Sequence, residues 1–88
     1  MRTMPKVKVP DLKDKQISLS DVRRGNFIKI LHLPSGLVRA QMIRFGITEG
    51  EIIKCLERLP GGTILIQKNR QEIAIGLELA KKITVIKH

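Results

Sequence analysis

The apolar residues of this chain fall into short runs, cut by glycine, proline and small polar residues, and the runs keep two different periods. Residues 27–33 are rich in strand formers and end at Pro34, which predicts a first strand. Ser35-Gly36 can then cap a helix over 35–45. Leu37, Val38, Met42 and Phe45 fall within about 140° of one another on its wheel, the width of a core-facing stripe, while Arg39 and Ile43 lie on the other side. Gly46 follows the last periodic residue, where a left-handed helix terminator favours glycine, and Thr48-Glu49-Gly50 reads as a turn. Three strands are predicted next, over 51–59, 63–67 and 71–75. They are separated by Pro60-Gly61-Gly62 and by Lys68-Asn69-Arg70. Gly76 can open a short second helix near 76–82, and residues 83–86 form the last strand. Upstream, Ser18 is placed to cap one helical turn carrying Leu19 and Val22.

Thirteen isoleucines and five valines suit a pleated core, because branched side chains pack well on a sheet. About five short strands, one helix after the first strand, a short helix before the last, and tight glycine turns predict a mainly β fold: a small SH3-like barrel. An OB-fold is the nearest rival, but it usually carries its helix between the third and fourth strands. Residues 1–16 differ in composition. They hold two of the four prolines, five basic residues and only scattered apolar ones such as Val7, Val9 and Leu12, so they read as a basic N-terminal tail. The alternation Lys6-Val7-Lys8-Val9 would allow that tail to add to a sheet edge. The domain proper is expected over 17–88.

Charge narrows the function classes. Seventeen Lys and Arg against eight Asp and Glu give +9 and a pI near 10.3, which excludes an acidic-chaperone role and favours a partner carrying negative charge. The usual stacking residues of single-strand binders are missing, since Trp and Tyr are absent and Phe27 and Phe45, the two aromatics, sit in apolar segments that read as core. No specific nucleic acid is therefore expected. With no apolar run of about twenty residues and no secretory leader, the chain reads as cytoplasmic.

Candidate chemistry is thin. His32 and His88 are the histidines, and no spacing joins His32 to Ser18, Ser20 or Ser35 as a triad. Cys55, the one cysteine, lies mid-strand and reads as a buried thiol; paired ligand spacings for a metal are absent. Pro60-Gly61-Gly62-Thr63 joins two strands and opens no helix, so it is a hairpin loop and not a phosphate loop. These readings predict no catalytic residues, no metal site and no cofactor: a binding protein, not an enzyme.

The order of features resembles the FeoA family, the small cytosolic components of bacterial ferrous iron uptake. The residues that carry the resemblance are Leu19-Ser20-Asp21-Val22 with Gly25, Met42-Ile43 with Phe45-Gly46-Ile47-Thr48 and Gly50, Ile73-Ala74-Ile75, and Ala80 with Ile83 and Val85; together they span about 17–87. Gln41 stands where such sequences often have a basic residue, and Glu49 where they often have proline. The resemblance implies an SH3-like barrel and association with the FeoB-type membrane transporter, which has a cytoplasmic GTPase domain, with the membrane reached only through that partner. The same domain ends metal-dependent repressors, but those carry a DNA-binding helical domain. Two other classes stay open: a basic RNA- or ribosome-binding barrel, and a regulator of GTP hydrolysis acting through an arginine supplied in trans. For the contact surface, Ile43 beside Arg39 on the outer helix face has the composition of an interface centre and rim. Arg44 is secondary, with Lys68 and Arg70 as the alternative location.

Overall fold

A computed structural model describes residues 15–88. The tail reading of 1–14, including the alternation at 6–9, lies outside the described residues. Six strands and two helices follow in the order β1 Gln16–Ser18, β2 Phe27–His32, α1 Leu37–Arg44, β3 Ile52–Arg58, β4 Ile64–Lys68, β5 Gln71–Ile75, α2 Leu77–Ala80 and β6 Thr84–Lys87, with a 3-10 turn at Leu19–Asp21 after β1. All pairs are antiparallel in one sheet ordered β1-β6-β2-β3-β4-β5. Six strands replace the expected five. The added one, β1, has three residues, too few for alternation to show, and its partner β6 lies at the other end of the chain.

Period-two alternation builds the core. Ile28 and Ile30 of β2, Ile53 and Cys55 of β3, Ile64 and Ile66 of β4, Ile73 and Ile75 of β5 and Val85 of β6 all point inward and are buried. Register breaks between Ile30 and His32 and between Cys55 and Glu57 bend β2 and β3, as bulges do, and help the sheet curl around this cluster. Leu19 and Val22 from the 3-10 turn and its cap, Met42 from α1, Leu33, Ile47, Ala80 and Ile83 complete the core, and no polar side chain among the described residues is buried with them.

Local caps hold the lids in place. Ser18 Oγ accepts from the Ser20 N–H at 3.1 Å and donates to the Ala80 carbonyl at 3.0 Å. Its single proton being committed there, the Ser20 hydroxyl is the donor in their 2.7 Å contact. One serine thus caps the 3-10 turn and ties it to α2. At the end of α1, Gly46 N–H donates to Ile43 O at 2.8 Å and Ile47 N–H to Met42 O at 2.9 Å, the paired bonds of a Schellman terminator. Gly46 holds φ +80, as that terminator requires.

The expected core stripe of α1 is only half realised. Met42 is buried and Val38 packs on the core, four residues apart. Leu37 is 72% exposed and Phe45 41% exposed. The helix has only eight residues, so Leu37 sits at its tip, and Phe45 is already the C-cap at φ −89, ψ 2, where wheel angles no longer apply. Phe27 is likewise exposed, not core: with Ile28 and Ile30 pointing inward, alternation turns Phe27 and Lys29 outward.

Candidate functional site

The outer side of α1 is apolar. Leu37, Ala40 and Ile43, spaced i, i+3, i+6, are all exposed, with Arg44 beside them one turn beyond Ala40. Ile43 is 49% exposed, about 100° around the helix from the buried Met42. A shallow cleft of about 250 Å³ flanks this face between α1, β5 and α2, lined by Gln41, Arg44, Phe45, Ala74 and Leu79. Leu37 and Phe45 were missed as surface residues by sequence reasoning. The signal available was the second spacing, Leu37-Ala40-Ile43, which a wheel drawn for one stripe leaves out.

The five residues singled out from sequence occupy different situations. Arg39 Nη2 donates to the Leu33 carbonyl at 2.7 Å and to Glu49 Oε2 at 2.8 Å. The same Oε2 accepts the Leu33 N–H at 3.0 Å and lies 3.7 Å from His32 Nδ1. Arg39 therefore clamps α1 to the end of β2. The Leu33 N–H, and after it the Arg39 guanidinium, hold the Glu49 carboxyl below its ordinary value. Lys68 Nζ donates to the Gly46 carbonyl at 2.6 Å and lies 3.6 Å from Glu51 Oε1, so it bonds the C-terminal end of α1 to β4. Arg70 is exposed in the turn after β4, and Arg44 is exposed on α1. Neither Arg44 nor Arg70 has a carboxylate partner among the described residues. The structure thus brings Ile43, Arg44 and Arg39 onto one helix and Lys68 to its end, but two of these cations are already engaged.

Other candidate chemistry stays apart. Cys55 is fully buried in β3, and burial pushes its thiol up, with Arg58 only partly offsetting this. Among the described residues no group of three or more His, Cys, Asp or Glu is placed to hold a metal. No helix among them is long and apolar enough to cross a membrane.

Fold and topology define the class, a small SH3-like β domain. The FeoA domain family matches residues 17–87, and the chain belongs to that family, whose members are small accessory domains of ferrous iron transport and not a known family of enzymes. Among solved structures, the crystal structure of an iron uptake regulatory protein (FeoA) is similar at 28% identity, covering 84% of this chain and 99% of that one with a TM-score of 0.74. The NMR structure of a FeoA-like protein from Clostridium acetobutylicum is similar at 25% identity, covering 83% and 87%, with a TM-score of 0.73. The manganese regulator SloR shares the fold, at 16% identity and a TM-score of 0.74, over 82% of this chain and 34% of that protein. A comparison with curated protein sequences finds no match.

Proposed function

We propose that this chain is a non-enzymatic cytoplasmic accessory of ferrous iron uptake that binds the cytoplasmic GTPase-containing part of a FeoB-type transporter. The binding unit is the domain over 17–88, with residues 1–16 as a basic extension, and the contact is made by the outer face of α1. The observation that carries the reading is that face: Leu37 and Ile43 are exposed beside Arg44, on a helix clamped at both ends by Arg39 and Lys68. An apolar patch on a clamped helix, bordered by a cation that has no carboxylate partner among the described residues, fits an interface centre and rim. Arg70, exposed in the turn two residues after Lys68, adds a second cation. Arg39 and Lys68 contribute by holding the helix.

The test is a binding titration with the transporter's soluble domain, comparing the wild type with Ile43→Glu. The exposed position lets the variant fold, which circular dichroism checks. Affinity is expected to fall by about tenfold or more, the range of a hot-spot residue. Unchanged affinity in a folded variant overturns the α1 contact. Submicromolar binding to generic RNA at near-physiological salt, with none to the transporter domain, overturns the function.

A further inference from the structure

The convex side of the sheet carries a second surface, remote in chemistry from α1. On the outer face of β2, Lys29 is flanked by Ile52 of β3 on one side and Ile86 of β6 on the other. One pleat along, Phe27 stands opposite Lys54, whose Nζ lies 5.5 Å from the ring centroid. Phe27 is 51% and Ile52 43% exposed, and Lys29 is exposed between them. Apolar and cationic residues therefore alternate across three adjacent strands. The carboxylates of the neighbourhood are turned elsewhere: Glu51 to Lys68, Glu57 to Arg24 at 3.3 Å, while Glu72 stands two strands away, beyond Gln67.

We propose that this face rests on an anionic phospholipid surface, with Phe27 and Ile52 entering the headgroup layer and Lys29 and Lys54 meeting lipid phosphates. Shape selects a membrane over an acidic protein segment. The outer side of a curled sheet is convex, so it offers no walls to enclose a helix or strand but can sink into a deformable plane. The cations are lysines, flexible point charges that reach phosphates while their stems stay on apolar ground. Weak apolar insertion and basic charge are each insufficient alone and effective together. The chain enters the sheet at Gln16, opposite Ile86 on this same face, and the sequence before it holds five basic residues against two acidic ones.

This proposal needs no transporter, and its vesicle measurements contain none. The full chain is mixed with vesicles of phosphatidylcholine containing a quarter phosphatidylglycerol, or with pure phosphatidylcholine, and binding is read by flotation. Binding is expected on the anionic vesicles only, weakening as salt is raised. The double variant Lys29→Gln/Lys54→Gln is expected to lose about 30-fold in partitioning, from the electrostatic worth of two lysines at such a surface. Phe27→Ser is expected to weaken it several-fold. Arg23→Gln/Lys82→Gln, the same charge change at two exposed positions elsewhere, is expected to lose much less. No binding to anionic vesicles overturns the proposal. So does equal loss in both charge pairs, or unchanged binding in the Phe27 and lysine variants, with folding verified by circular dichroism. Loss of transporter-domain binding in Lys29→Gln/Lys54→Gln without any vesicle binding would identify an acidic protein surface instead, and overturns it as well.

Discussion

Arg39 and Glu49 meet across the turn between α1 and β3 at 2.8 Å, and the oxygen they share also takes the Leu33 N–H. A helix, a strand end and a turn are therefore fastened at one carboxylate atom. Its acidity carries a sign. Both bonds favour the ionised form and lower the folded-state pKa below the ordinary 4.5. The stability this contributes is present above that value and is lost as pH falls through the lowered pKa. Glu49→Gln should lower the urea midpoint at neutral pH, and the gap to wild type should close on acidification. Equal midpoints at pH 7 would show that the clamp adds nothing.

Arg58 performs a similar task for the 3-10 turn, its Nη1 donating to Ser20 O at 2.6 Å and to Val22 O at 2.7 Å. Arg58→Ala leaves both carbonyls to water and should cost about 1–2 kcal/mol in denaturant unfolding, at the lower end for charged hydrogen bonds because the group is exposed. A loss indistinguishable from zero would mean that solvent replaces the guanidinium fully.

Gly46→Ala isolates backbone conformation from packing. An added Cβ would find Lys68 Nζ at 3.5 Å, an ordinary contact, so the penalty comes from φ +80 alone. About 1–2 kcal/mol is expected from equilibrium unfolding. Gly62→Ala at φ +94 should cost more, since its Cβ would also press on Leu77 at 3.0 Å. The reverse ranking would contradict the geometry.

Cys55 gives a readout of core opening. Its thiol is fully buried and raised in pKa by that burial, so it should resist a thiol reagent in the native protein at neutral pH and react completely in denaturant. Immediate reaction in native buffer would place the side chain at the surface.

How far the molecule could be read from its residues depended on the range of the interactions. The strands around Ile53, Ile64, Ile66, Ile73 and Ile75 show in local alternation, and Pro60-Gly61-Gly62 and Asn69 mark the turns between them. Gly46 likewise announces the end of α1, because a helix terminator is a local device. β1 is invisible locally, since it exists only through pairing with β6. Of the site, the outward direction of Ile43 was legible from the wheel. The exposure of Leu37 and Phe45 was not, because it follows from how little of so short a helix can touch the sheet. The engagement of Arg39 with Glu49, and of Lys68 with Gly46, depends on turns that bring distant residues together.

The pairing of Gln16 with Ile86 sets the two ends of the fold side by side, on neighbouring strands near one rim of the sheet. The covalent order of the strands is then nearly independent of their spatial order. A short bridge between those ends would close the backbone into a ring with no strand displaced, and the ring could be reopened at the exposed Pro60–Gly61 turn. The same adjacency means that a host chain interrupted by this fold would have its two halves returned almost to one point. Such a unit can be spliced into or hung from another protein without stretching either partner, because its two ends leave from neighbouring positions.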